Sequence, residues 1–318
     1  MTDTIAQTAP SAPELTVIVT VVDGGEVLMR SLDALATQKN PPAMRVIVPY
    51  DATIPEIAGM AVRYPQFEFP DLGALCDGAP KDAFEQHVVF DKRRSGGLAA
   101  ATGPLVALVE DRGWAQPDWA RKMVEAHAKY PDGAIGGAID CAAATALNWA
   151  IFFADYGRYQ APFDSARPDY ASDTNICYKR AAVEATRSLW ATQYREAEVN
   201  WAVRDRAGGL RLDDGPKTVQ QRLPARLGKV MHERLHWGRM YGLVRAEGVP
   251  FAGRLKWLLA APILPLFLYV RHLRRQLRLG RHVGWFVRAT PAMFFILFFW
   301  ALGEFAGYLG APMKKKDT

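Results

Sequence analysis

The polarity pattern opens on residues 15–22 (LTVIVTVV), a short β-branched run that is apolar on both faces, as in a strand covered on both sides of a sheet. Asp23-Gly24-Gly25 ends it. Apolar residues then recur at Val27, Leu28, Leu32, Leu35 and Ala36, a helical spacing, until Asn40-Pro41-Pro42 stops the helix. Residues 44–48 repeat the strand signal, so the chain starts as a right-handed βαβ unit. Residues 53–84, punctuated by Pro55, Pro65, Pro70 and Pro80, predict a helix and irregular connections. Further on, the pattern predicts a strand at 87–90, a solvated turn at Asp91-Lys92-Arg93-Arg94, and a closely packed helix within the glycine-rich stretch 96–103. A strand at 104–109 runs straight into Glu110-Asp111-Arg112. Beyond it come a helix over 117–130, a strand over 134–139, an aromatic-rich stretch at 149–159, a short strand or turn at 175–180, and a helix over 196–206 closed by Gly208-Gly209. This alternation is that of an α/β fold with a mostly parallel, Rossmann-like sheet.

After residue 217 the character changes. Residues 226–245 are basic and amphipathic, 255–270 are apolar apart from Lys256 and carry Pro262 and Pro265, and 271–282 read as a basic linker with five Arg. Residues 283–303 are apolar apart from Arg288, and Lys314-Lys315-Lys316 follows. A spanning helix needs roughly 20 apolar residues. Were both apolar stretches to span, the five-Arg linker would lie outside, against the positive-inside rule. The expectation is therefore re-entrant or interfacial helices on the cytoplasmic face of the inner membrane; two transmembrane helices, or buried core helices, are the alternatives.

Charge sharpens that division. The 318 residues carry a formal +6, which alone suits nucleic acid, anionic lipid or a phosphorylated substrate equally. Residues 1–216 hold 21 Lys and Arg against 29 Asp and Glu, whereas 217–318 hold 18 against 4. Because the excess positive charge is interleaved with long apolar runs, anionic membrane lipid is the expected partner and nucleic acid is not. Cys76, Cys141 and Cys177 are too few and too irregularly spaced for a disulfide framework or a zinc site. Residues 1–14 lack the basic start and apolar centre of a signal peptide and are expected to be a disordered lead-in. The expected domains are 15–216 and 217–318.

In open sheets, ligands sit beyond the carboxyl ends of the parallel strands, which makes Glu110-Asp111 the first candidate site. Its context resembles the GT-A fold of family 2 glycosyltransferases, in a bacterial subgroup with a C-terminal membrane region. VIVTVVDGG is similar to the family's first nucleotide-binding strand, Gln38 to its helix end, VIVPYDAT to its VVDDGS segment, and RRSGGLAAATGPLVALVED to its Gly/Ala-rich helix and acidic motif. TNICYKR, GRMYG and WALGEFAGYLG are similar to segments of the subgroup. The resemblance implies an inverting transferase that moves a sugar from a nucleoside-diphosphate donor to a lipid-linked or membrane-proximal glycan acceptor, in polysaccharide or glycolipid assembly. A non-catalytic nucleotide-sugar-binding membrane protein is the alternative.

The resemblance also implies roles. Val21, Asp51, Arg94, Glu110, Asp111 and Arg112 would contact the nucleotide sugar, with Tyr50 in place of one of the family's two Asp residues. A divalent cation, Mg²⁺ or Mn²⁺, would stabilise the departing diphosphate, held by Asp111, although Arg112 occupies the last acidic position of the motif. Counting back from Gly209 places Glu198 at the base position and counting from Gly208 brings Glu196 close, with Glu198 the preferred candidate. Asp173, Asn175 and Tyr178 would line the acceptor side. His232, Arg234, His236 and Arg239 would face lipid, with Arg234 or Arg239 clamping the diphosphate as the alternative.

Overall fold

The computed structural model describes residues 12–311; most of the lead-in and Lys314-Lys315-Lys316 lie outside the described residues. The chain divides into two compact units, one running to Asp140 and resuming over Phe163–Gln221, the other built from Cys141–Pro162 and the residues from Arg222 onward. The excursion of Cys141–Pro162 into the second unit carries no punctuation that the sequence reading detects.

The first unit is a seven-stranded sheet with helices. Its strands are β1 (Leu15–Thr20), β2 (Met44–Ile47), β3 (Leu105–Glu110), β4 (Gly113–Ala115), β5 (Ala134–Cys141), β6 (Asn175–Lys179) and β7 (Leu210–Gln220), in spatial order β2-β1-β3-β6-β5-β7-β4. β1 pairs in parallel with β2 and β3, with Leu15 opposite Met44 and Leu105. β6 enters antiparallel between β3 and β5, and β7 pairs antiparallel with β4, so the parallel part is confined to one side of a mixed sheet. All six residues of β1 are buried, as the apolar run requires. The core beside the sheet joins Val17, Val19, Leu28, Leu32, Val46, Val109 and Trp119.

The helices of this unit are α1 (Gly25–Ala36), α2 (Met60–Arg63), α3 (Ala83–Ala100), α4 (Trp119–Lys129), α6 (Arg180–Glu184) and α7 (Glu196–Arg206), with α5 (Ala146–Asp155) belonging to the second unit. α3 corrects the sequence reading. The expected strand at 87–90 and the expected turn at 91–94 are both interior to this one helix, because Asp82 caps its start by accepting from the amides of Phe84 and Glu85 at 2.8 and 2.9 Å. A capped start with a long run behind it outweighs the strand preference of Val88-Val89. Arg93 and Arg94 are consequently buried, not solvated. The predicted close packing is real: a Cβ on Gly97 would lie 2.4 Å from Ile18 Cγ2, so glycine lets α3 press on β1.

The second unit contains α5, α8 (Leu227–Ala246), α9 (Phe251–Ala260), α10 (Leu264–Leu279) and α11 (Val283–Gly310). α8 and α11 approach through glycines spaced four apart on each helix. A Cβ on Gly238 would lie 2.2 Å from Trp300 O, and one on Gly303 2.2 Å from Leu235 O. The basic stretch 271–282 is not a linker: α10 continues through it to Leu279 and ends at left-handed Gly280. Buried Arg275 donates from Nε to Gly157 O at 2.9 Å. Among the described residues α11 is long and apolar enough to cross a membrane, and α9 with α10 forms a pair bent by 59°.

Candidate functional site

The carboxyl ends of β1, β2 and β3 bring three groups of side chains together, all within the first unit. The first is organised by Arg93. Its Nη1 donates to Val21 O at 2.6 Å, its Nε to Asp51 Oδ2 at 2.6 Å, and its Nη2 to Thr53 Oγ1 at 2.9 Å. Burial pushes the Asp51 carboxyl up, but the hydrogen bonds from Arg93 and Thr53 outweigh it and hold the group below its usual range, so Asp51 is ionised. Val21 and Asp51 are thus joined as the sequence reading has them. Arg93, placed there in a solvated turn, is what joins them.

The second group closes the loop after β1. Asp111 Oδ2 accepts from the amides of Asp23 and Gly24 at 3.0 and 2.7 Å, and Gly24 and Gly25 adopt the left-handed φ of +67° and +54° that this turn needs. Its other oxygen, Oδ1, is buried without a partner among the described residues. Burial raises the Asp111 carboxyl to about 6. Arg112 grips Asp23 with both arms of its fork, Nε to Oδ2 at 2.9 Å and Nη2 to Oδ1 at 2.6 Å.

The donor set admits a divalent cation on one condition. No cluster of three or more His, Cys, Asp or Glu able to hold a metal occurs among the described residues. A hard cation such as Mg²⁺ is nevertheless commonly held by one or two carboxylates and completed by substrate phosphates. The unpartnered Oδ1 of Asp111 fits that arrangement: the chain supplies one oxygen and a diphosphate supplies the rest.

The third group surrounds Arg94, which is 1% exposed. Its Nη2 meets Glu110 Oε1 at 2.5 Å, its Nε meets Asp173 Oδ2 at 2.9 Å, and its Nη1 meets Asp91 Oδ1 at 3.2 Å. The Asp173 amide donates to Glu196 Oε1 at 2.9 Å, bringing a fourth carboxylate to the cluster. Burial, then the neighbouring Asp173, raises Glu110 to about 7. The same two causes raise Glu196 well above the ordinary carboxylate range. The sequence reading has Arg94 on the nucleotide; in the structure its guanidinium is turned into these acids.

Other candidates separate. Glu198, on the same helix as Glu196 but two residues on, is 42% exposed at its side chain and pairs with Arg195 at 3.2 Å, outside the cluster. Asn175 is 1% exposed and fully employed as a pin: Oδ1 accepts from Trp119 Nε1 at 2.8 Å, and Nδ2 donates to Ala138 O and Pro216 O. Tyr178 is buried with its hydroxyl 2.7 Å from that of Tyr194. Neither presents a free polar group to an acceptor. Arg234 belongs to the second unit, where both arms bind Asp155 at 2.5 and 2.7 Å, so it neither faces lipid nor stands ready for a phosphate. Arg239 is exposed on α8. A hollow of about 500 Å³ lined by Leu105, His127 and Lys179 lies at the start of β3, the end opposite Glu110 and Asp111.

No family model matches the chain, and no curated protein matches it. Solved structures do. The mannosyltransferase PcManGT from Pyrobaculum calidifontis, in complex with GDP-Man and Mn²⁺, superposes with a TM-score of 0.53 at 15% identity, covering 94% of this chain and 89% of that one. The fold is GT-A-like, with C-terminal helices following it. TarS 1-349 of S. aureus is matched at a TM-score of 0.49 and 12% identity in its complex with UDP-GlcNAc, covering 94% of this chain and 92% of that one. A further structure of TarS 1-349 is matched at a TM-score of 0.48 and 13% identity, covering 88% of this chain and 90% of that one.

Proposed function

We propose that the chain is an inverting, family 2-like hexosyltransferase of polysaccharide or glycolipid assembly. It moves a sugar from a nucleoside diphosphate to a lipid-linked or membrane-proximal glycan acceptor. The observation that carries this reading is the juxtaposition of Asp111, with one buried unpartnered oxygen, and the carboxylate cluster around Arg94, at the carboxyl ends of β1 and β3 in a GT-A-like fold. The GDP-Man and Mn²⁺ of the mannosyltransferase complex are in keeping with it.

In this reading Asp51 and the Val21 carbonyl, held by Arg93, bind the nucleoside, and Asp111 and Arg112 face the diphosphate. Mg²⁺ or Mn²⁺, when bound, supplies positive charge to the departing diphosphate. The acceptor oxygen gives its proton to a carboxylate and bonds to the anomeric carbon. The bond from that carbon to the diphosphate breaks, and the electron pair leaves with the diphosphate. We assign the base to Glu196 instead of Glu198, because Glu196 lies against Asp173 within the cluster and Glu198 lies outside it. Asp173 lines the acceptor side. We assign this chemistry to 15–216 and membrane association to 217–318, where α11 and the bent α9–α10 pair expose Leu259, Ile263, Phe267, Phe295 and Phe298. That surface suits the cytoplasmic face of the inner membrane, with the anionic lipid headgroups meeting the basic residues.

The test is a panel of nucleotide sugars with Mn²⁺, Mg²⁺ or EDTA, run on wild type, Glu196→Gln and Glu198→Gln, with donor binding measured separately. Glu196→Gln is expected to abolish transfer and keep donor binding, while Glu198→Gln stays near wild type. Loss in Glu198→Gln alone would return the base to Glu198. Donor binding by wild type with no turnover would favour the non-catalytic alternative.

A further inference from the structure

We propose that Asp23 is a resident counter-anion of the donor cleft, displaced from Arg112 by the diphosphate of the incoming nucleotide. The inference rests on the reading that this cleft takes a nucleoside diphosphate, and concerns how it is admitted.

Three arginines stand at this end of the sheet, and two are committed deep inside. Arg93 is 2% exposed and divided among Val21, Asp51 and Thr53; Arg94 is 1% exposed and divided among Asp91, Glu110 and Asp173. Arg112 differs. Its side chain is 22% exposed and its ion-pair partner Asp23 is 14% exposed, so this pair is partly open to solvent where the other two arginines are not. The two contacts, at 2.9 and 2.6 Å, are the parallel fork by which a guanidinium binds a carboxylate or a phosphate. A diphosphate oxygen pair can replace the Asp23 carboxylate without changing what Arg112 presents.

The backbone permits the exchange. Asp23 precedes two consecutive left-handed glycines, Gly24 and Gly25, and a Cβ on Gly25 would meet nothing within 4 Å. The turn therefore carries no side chain at two successive positions. It is held in place by the Asp23 and Gly24 amides on Asp111 Oδ2, whereas Asp111 Oδ1 is buried and unpartnered beside it. An orphaned carboxylate oxygen next to a partly exposed ion pair marks a region arranged for a ligand that brings both negative charge and a cation or proton donor.

The consequence is an inverted mutational sign. A ligand of the donor weakens binding when its charge is removed, but a competing anion strengthens it. Calorimetric titration of the full-length protein with UDP and with GDP, in Mn²⁺ and in EDTA, separates the two. Asp23→Asn is expected to bind about 2- to 5-fold more tightly than wild type, the scale of one partly exposed ion pair. Arg112→Met is expected to bind about tenfold or more weakly, and Asp23→Asn in the Arg112→Met background to gain nothing. Arg112→Lys, which keeps the charge without the fork, is expected between wild type and Arg112→Met and serves where the methionine variant does not fold. Unchanged or weaker binding by Asp23→Asn, with wild type binding normally, overturns the proposal and makes Asp23 a scaffold or a ligand. No binding of either nucleotide by wild type or any variant overturns the nucleotide reading itself.

Discussion

Replacing Arg94 by methionine removes the cation that three carboxylates share. Glu110, Asp173 and Asp91 lie 2.5, 2.9 and 3.2 Å from its guanidinium, and Glu196 adjoins through the Asp173 amide. Breaking a buried pair by deleting one partner costs about 3–5 kcal/mol, because the remaining charge is left without compensation. For a unit of this size each kcal/mol moves the midpoint by about 2–4 °C, so a fall of roughly 6–20 °C is expected. The sign of its pH dependence is fixed by the acids left behind. Glu110, at about 7, and Glu196, well above the usual range, hold protons in mild acid and lose them as pH rises. Unpaired negative charge is therefore smaller near pH 5 than near pH 8, and the gap between wild type and Arg94→Met widens as pH increases. Thermal unfolding of both proteins across that range, with Arg94→Lys as the charge-retaining control, measures it. A gap that is constant with pH, or a loss below about 1 kcal/mol, would refute the view of Arg94 as the electrostatic centre of the cluster.

Other expectations are more local. In the wild type, Glu110 is raised from 4.5 to about 7 and Asp111 from 3.8 to about 6, so the stability they contribute is complete below the unfolded values and is lost as pH rises through the folded ones. Their contribution should accordingly decline from about pH 4 to pH 7, read as the pH dependence of the melting-temperature gap between wild type and Glu110→Gln, because buried His127, lowered to about 4, tilts the whole-protein curve the other way. Gly97→Ala forces a methyl against Ile18 and should cost about 1–3 kcal/mol in denaturant unfolding, with no change in the slope. Arg234→Met strands Asp155 and should cost about 3 kcal/mol; adding Asp155→Asn should restore part of it, and strict additivity of the two would disprove the pairing.

The parts of the fold legible in the sequence are those where one local signal acts alone. β1 is a β-branched, almost wholly apolar run, α7 covers the residues 196–206 that the sequence predicts, and Glu110-Asp111 falls at the end of β3. Misreadings occur where signals compete. HVVF has strand composition, but it lies inside a capped helix, and its true environment is set by Asp82 five residues before it. The same competition makes Arg93 and Arg94, which are buried in this helix and organise the site, read as a solvated turn. Asn175 and Tyr178 were legible as important but not as pins, since only the tertiary structure supplies Trp119 and Tyr194 as partners. Glu196 and Glu198 are separated by a helical rotation of about 200°, so a count from a downstream glycine that errs by two residues selects the opposite face.

On the proposed function, the placement of charge bears on how an anionic donor is admitted. Asp23, Asp51, Asp91, Glu110, Asp111, Asp173 and Glu196 share it with Arg93, Arg94 and Arg112, so negative groups exceed positive ones before any ligand arrives. Burial has already raised Glu110, Asp111 and Glu196, and the cleft sheds part of its excess by retaining protons. A bare diphosphate adds to the imbalance and is repelled. Entry therefore requires positive charge to come with the diphosphate or to be released within the cleft. A divalent cation riding on the phosphates meets the first requirement, because the acids that repel the anion attract the cation. Arg112 meets the second by exchanging Asp23 for phosphate. On these proposals the two routes act together: release of the Asp23 carboxylate would leave the Arg112 guanidinium for phosphate, and Asp111, with its unpartnered Oδ1, would hold the cation that offsets the charge of the diphosphate.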